Sequence, residues 1–246
     1  MTIAVPTLEL ALPLTLNLEA VCAEQGISVR HASLEQCGEL LFANMVDAAL
    51  VSPLGYGMGV GRVDYRIAAG PCLALQDYTN VFGATFSEGS SELSTFSSDE
   101  PDSFMCLMMR LAMSEKFDID LSPVATGSMA DCLIGPARAG HAHALDLGEE
   151  WFDMAEAPLP LALWVVRVDS EIANFDDLVG RACQPGLTER PVSEVTPLHS
   201  EHAPREGSIL YRWSETFEEG MLAALNSLYF HQRLSEIPAI KVNGRD

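Results

Sequence analysis

Read from the amino terminus, apolar and polar positions change period repeatedly. Residues 2–6 form a short apolar run stopped by Pro6, as in a strand. Over 13–25, Leu14, Leu18, Val21 and Cys22 recur at close to helical spacing, and Gly26 supplies the stop. Ile27–His31 then reads as a second strand. Ser33 followed three residues later by Gln36 is a capping box opening an amphipathic helix to Ala43. The run from Val46 to Pro53 has the continuous apolar character of a buried parallel strand. Up to this point the chain alternates β-α-β-α-β, the signature of a parallel sheet with crossover helices.

Beyond it, residues 65–76 predict one or two strands, and the Gly-, Ser- and Thr-rich stretch Gly83–Ser98 suits a hinge. Asp102–Phe117 carries a strong helical stripe (Phe104, Leu107, Met108, Leu111, Ala112). Ser122–Thr126 and Asp131–Gly135 read as strands around a turn at Gly127-Ser128, and Leu145–Met154 as helix or tight loop. Pro158–Val168 reads as a buried strand, 184–208 as loop and Thr216–Leu234 as a final helix. Two alternating segments separated by a joint, with apolar strands returning later, predict two α/β lobes joined by crossing strands. Strand ends and helix starts would then surround a cleft between the lobes, a natural small-molecule site.

Composition narrows the function classes. Fourteen Lys and Arg against 35 Asp and Glu give a formal charge of −21. Nucleic acid and anionic membranes, which are held through Lys and Arg, are not expected partners. Only two basic residues are lysines, Lys116 and Lys241; the acidic surface is either a solubilising one or one adapted to high salt. Cys22, Cys72, Cys106 and Cys132, among six cysteines, sit in apolar runs with no Cys-x-x-Cys pair, which predicts buried free thiols and a reducing compartment. The first residues lack the basic region of a signal peptide, and no apolar run reaches 18 residues. The expectation is a soluble cytoplasmic protein.

Candidate chemistry is sparse. His141 and His143 form a His-Ala-His pair that on a strand could supply two metal ligands, but no partner except Asp146 follows at ligand spacing and the segment reads as a surface loop, so they read as exposed, as do His199 and His202. No metal or cofactor is expected. The run from Gly55 to Gly61 has glycine at alternate positions without dinucleotide-loop spacing and reads as a plain flexible loop. No phosphate-binding loop or nucleophile elbow is present. The strand-end loops remain: Thr7 to Glu9, Ser52-Pro53, and Ser97 to Ser103 ahead of a helix. Asp102 or Ser98 at that helix start is either its cap or a ligand contact.

Several segments together resemble a known family. Leu145-Asp-Leu-Gly-Glu-Glu-Trp151 followed by Pro158-Leu-Pro-Leu-Ala-Leu-Trp-Val-Val-Arg167 resembles the "DLGEEW … LPFVFAVW" signature of the menaquinone-biosynthesis family of the futalosine pathway. That family contains chorismate dehydratase and dihydroxynaphthoate synthase. Val46–Tyr56 resembles its "DVALIPSIEY", Leu12-Pro-Leu14 the end of "YLNALPL", and Leu133-Ile-Gly135 part of "LLIGDAAL". The resemblance implies a type II periplasmic-binding-protein fold, with lobe 1 at about 1–90 plus 160–246 and lobe 2 at about 91–159. It also implies a lyase acting on a small cyclic or aromatic carboxylate. The strand-end loops and this resemblance together give Thr7, Ser52, Tyr56, Ser98, Asp102, Ser103 and Gly135 as candidate ligand positions, with Glu9 the candidate base by its place in the first loop. The chain departs from the pattern at three ligand-facing places. The family asparagine falls at Leu10, "SSRTS" reads Asp99-Glu-Pro-Asp-Ser103, and Pro136 stands where "IGDAAL" has its acid. A changed substrate, or binding without chemistry, is the alternative those departures imply.

Overall fold

The computed structural model describes residues 1–87, 93–125, 128–137, 143–194 and 203–245. In chain order the elements are β1 (Thr2–Pro6), α1 (Leu12–Thr15), α2 (Leu18–Glu24), β2 (Ser28–Ala32), α3 (Leu34–Phe42), β3 (Ala48–Val51), α4 (Pro53–Gly59) and β4 (Tyr65–Asp77). Next come β5 (Phe82–Phe86), β6 (Thr95–Ser97), α5 (Phe104–Phe117), β7 (Ser122–Pro123), β8 (Cys132–Pro136), β9 (Leu145–Asp146) and α6 (Leu147–Ala155). The last are β10 (Leu159–Arg167), α7 (Phe175–Ala182), β11 (Glu189–Ser193), β12 (Glu206–Arg212) and α8 (Glu215–Phe230).

The chain divides into two compact units. The first comprises residues 1–74, 160–189 and 210–246, and the second 75–159 and 190–209. The expected boundaries differ at 75–90 and 190–209. Residues 82–86 belong with the second unit because β5 is hydrogen-bonded to β8 and β9.

The larger sheet runs β11-β12-β4-β10-β3-β1-β2. β1 pairs parallel with β2 and with β3, and β10, returning from late in the chain, pairs antiparallel with β3. Right-handed crossovers from β1 to β2 and from β2 to β3 run in opposite directions, so their helices lie on opposite faces. α2 packs with α7 on one side, and on the other α3 packs with α4 and α4 with α8. Covered on both faces, Ala48–Val51 and Leu159–Val166 are buried throughout, as their apolar runs predict. Trp164 sits edge-on to Phe175 of α7 at 6.2 Å between ring centroids. This order, with a returning antiparallel strand inserted beside β3, makes the fold that of the type II periplasmic binding proteins.

The capping box is present in full. The Gln36 amide donates to Ser33 Oγ (3.2 Å) and the Ser33 amide to Gln36 Oε1 (3.1 Å). The glycine run is not a loop: its first part is α4, opened by Ser52 as cap and Pro53 in the first turn. Its glycines have tertiary reasons. A Cβ on Gly38 would lie 3.0 Å from Gly55 Cα, so the pair lets α3 and α4 approach closely. Gly57 meets Leu234, and Gly59 has no room beside the Tyr65 ring. Residues 65–76 form one long strand rather than two, and the stretches read as hinge and loop contain β5, β6, β11 and the start of β12.

In the second unit the sheet order is β7-β6-β8-β5-β9. Register places Phe96 opposite Cys132, Ile134 opposite Ala84 and Phe82 opposite Pro136, so one face is apolar. α5 and α6 pack on this sheet, with Arg110 of α5 over the Phe96 ring at 4.9 Å. Lys116 fastens the two helices, its Nζ donating to Glu150 (2.6 Å) and Asp153 (2.7 Å). All six cysteines are free, and five of them are buried. Among the described residues no helix is long and apolar enough to cross a membrane.

Candidate functional site

In the first unit the parallel pair β1 and β3 ends at Pro6 and Val51, so Thr7, Glu9 and Ser52 lie at one sheet edge. That edge is where open α/β sheets place ligands, outside the carboxyl ends of strands whose connections diverge. Thr7 is exposed and its hydroxyl donates to the Ala32 carbonyl at 3.3 Å. Glu9 is exposed at the start of a 3₁₀ turn. Ser52 is buried, and its Oγ accepts from the Gly55 amide at 3.1 Å as the cap of α4. Tyr56 is wholly buried; its hydroxyl donates to the Ala239 carbonyl (2.6 Å) and accepts from the Lys241 amide (3.1 Å). Burial pushes that phenol above its ordinary range. The Tyr56 hydroxyl therefore fastens the C-terminal segment.

In the second unit β6 and β8 are parallel neighbours, so Ser98–Ser103 and Gly135 share the edge at their carboxyl ends. Ser103 is the cap of α5, accepting from the Cys106 amide at 3.3 Å; neither Asp102 nor Ser98 takes that place. Ser98 Oγ accepts from the Glu100 amide at 3.2 Å, and Asp102 is exposed. Gly135 is buried, and among the described residues nothing lies within 4 Å of the position a Cβ would take.

Four residues with a visible role here escaped the sequence reading. Asp146, fully buried, accepts from the amides of Thr79 (3.1 Å), Asn80 (2.7 Å), Gly148 (3.0 Å) and Glu149 (3.2 Å). Burial raises its carboxyl while those backbone donors pull it down. Arg205 donates to Glu149 Oε2 (3.0 Å) and Glu194 Oε1 (2.7 Å) and lies 4.3 Å from the centre of the Tyr78 ring. The Glu194 hydrogen bond, foremost, raises the guanidinium; Glu149 is raised by burial, against the pull of Arg205. Asn80 Oδ1 is buried without a hydrogen-bond partner among the described residues.

His143 is the fourth, and it is not exposed: 7% of its surface is accessible. Its Cγ lies 2.8 Å from where a Gly83 Cβ would be, so the imidazole packs on the bare backbone of Gly83. His141, His199 and His202 lie outside the described residues, and no group of three or more metal-ligating side chains occurs among the described ones. Burial, foremost, and the Arg205 charge hold the His143 imidazole below its ordinary range. A histidine with a depressed folded pKa binds its proton more readily when unfolded, so stability should rise with pH across that interval. The contribution is complete above the unfolded value of about 6.5 and is lost as pH falls below it. Melting temperatures from pH 7.5 to 5.5 should therefore fall further for the native chain than for His143→Phe. Parallel curves would show that His143 binds its proton equally in the folded and unfolded chains, against this reading.

The sequence pattern of the family described as menaquinone biosynthesis matches residues 106–219. This bears out the resemblance read from 145–167. No curated protein matches the chain. Among solved structures it is similar to protein AF1704 from Archaeoglobus fulgidus, at 17% identity over 74% of this chain and 72% of that one, with a TM-score of 0.48. It is also similar to the methionine-binding protein MetQ (9% identity, 74% and 89% covered, TM-score 0.49). A third similar structure is the Candida albicans CA3427 gene product, described as having the generic periplasmic-binding-protein fold (11% identity, 74% and 70% covered, TM-score 0.46).

Proposed function

We propose that this protein serves menaquinone biosynthesis by taking a small cyclic carboxylate, and that its reaction is a chorismate-dehydratase-like elimination. The observation that carries this reading is the family match over 106–219, a span that includes the Asp146–Trp151 motif and the returning strand β10. The elimination breaks one C–H and one C–O bond of chorismate, releases water and leaves an enolpyruvyl-bearing benzoate. It needs a base to take the proton. Glu9, the carboxylate at the edge formed by β1 and β3, is assigned that role, with Thr7 beside it. Six free thiols support work in a reducing compartment, the cytoplasm.

A second reading, binding without chemistry, has its own support. Ser52, Tyr56 and Ser103, three positions assigned to the ligand, already use their hydroxyls in caps and a tether. The two readings separate in one experiment. Purified protein at high concentration is mixed with chorismate, and the ultraviolet spectrum and melting temperature are followed. A new aromatic spectrum supports the lyase. A raised melting temperature with unchanged chorismate supports the binder. Neither change would overturn both.

A further inference from the structure

We propose that His143 is a ligand-contacting residue of the second unit, its Nε2 hydrogen-bonding an oxygen of a small cyclic carboxylate seated against Gly135. This rests on the ligand class of the proposed function and adds a contact that neither the family resemblance nor the chain's motifs supplied.

Three observations converge. First, His143 Nε2 is buried and has no hydrogen-bond partner among the described residues. A buried nitrogen without a partner costs free energy unless something supplies one, so each such atom calls for a physical reason. A neutral imidazole has one donor and one acceptor nitrogen: a donating Nε2 suits a ligand carboxylate or hydroxyl, and an accepting one suits a hydroxyl. Second, the sheet makes room for this ring. At Gly83 any side chain would run first into the Leu145 carbonyl oxygen and then into His143 Cγ and Cβ, at 2.8 and 2.9 Å, so glycine there admits both the β9 backbone and the imidazole.

Third, Gly135 stands directly opposite Gly83 in the antiparallel register of β5 and β8. Directly opposed residues share a sheet face and lie about 4.5–5.5 Å apart. Among the described residues the position beside the imidazole is thus bare, with no atom within 4 Å of where a Cβ would be. Gly135 has no positive φ, so its backbone does not demand glycine. Two facing glycines, one covered by an imidazole and the other open, leave space for a flat group next to an unpaired nitrogen. The same edge carries the start of α5, with Ser98 and Ser103.

The test compares the native chain with His143→Phe and Gly135→Ala, using chorismate as the probe in calorimetric titration and thermal shift. Phenylalanine keeps a ring on Gly83 and removes the nitrogen; alanine puts a methyl group into the open position without a collision. Both variants should melt without chorismate at or above the native temperature and bind chorismate at least tenfold more weakly. A histidine that merely packs would change the melting temperature and leave affinity alone. Native affinity in either variant overturns the proposal while the proposed function stands. If the native chain itself fails to bind chorismate, the functional reading fails, and this proposal with it.

Discussion

Replacing Asp146 with alanine is expected to lower stability by roughly 3–5 kcal/mol, because it strands several buried donors at once. The carboxylate accepts from four backbone amides and, more weakly, from the Thr79 hydroxyl at 3.4 Å. Two of those amides belong to the segment leaving β4, and two open α6. One side chain therefore caps the helix and fixes the segment that leads into β5. Both Asp146 and Thr79 are buried, so the stranded amides would lie away from bulk solvent. Asp146→Asn keeps the volume but turns an NH₂ toward amide donors, so it should recover only part of the loss. Asp131 offers the contrast: it also gathers four donors, from Ser94 and Thr95, but nearer solvent, and its alanine variant should lose less. Urea titration gives the stabilities. Hydrogen exchange should show the Thr79, Asn80, Gly148 and Glu149 amides losing protection in Asp146→Ala. A native midpoint with those amides still protected would refute the assignment.

That cluster explains what a family signature can and cannot convey. The Asp146–Trp151 motif is the most recognisable stretch of the chain, and the structure puts its residues to work in holding the fold. Asp146 clasps; Gly148 sits against the Asp77 carbonyl with no room for a side chain; Glu149 pairs with Arg205; Glu150 pairs with Lys116; Trp151 is buried. The motif announces an architecture. Elements with local signals were legible. The Ser33–Gln36 box, the buried runs of β3 and β10 and the stripe of α5 each carry their own period or cap. What escaped depends on partners distant in sequence. β5 and β6 lie in a Gly- and Ser-rich stretch whose strand character comes from pairing with β8. His143 reads as a polar loop residue, and its burial follows from the missing side chain at Gly83, 60 positions earlier. The hydroxyls of Ser52 and Tyr56 look like ligand groups in a strand-end loop until the Gly55 amide and the C-terminal segment are seen to occupy them.

The glycines of α4 carry the second large prediction, because two effects of opposite sign meet there. Alanine in place of glycine in a helix gains about 1 kcal/mol from propensity alone. Gly180, exposed in α7 with nothing within 4 Å of its Cβ position, should show that gain nearly undiluted. Gly59 should show the reverse. Its Cβ would run into Cε2 of Tyr65, with Cζ and the hydroxyl oxygen each 2.5 Å away, and this ring is 1% exposed and backed by Tyr56 at 6.4 Å. A buried aromatic ring cannot yield as the end of a flexible side chain does, so α4 or β4 must shift. Overpacking of this kind costs roughly 1–3 kcal/mol and occasionally more. The clash therefore outweighs the propensity, and Gly59→Ala is expected to lose about 2 kcal/mol net. Gly180→Ala should gain about 0.5–1 kcal/mol. Chemical denaturation of both variants decides between two accounts of the glycine run. If Gly59→Ala gains stability as Gly180→Ala does, the run is a matter of backbone freedom. If it loses stability, the run is a packing surface on which α4 approaches its neighbours, and glycine is there because nothing larger fits.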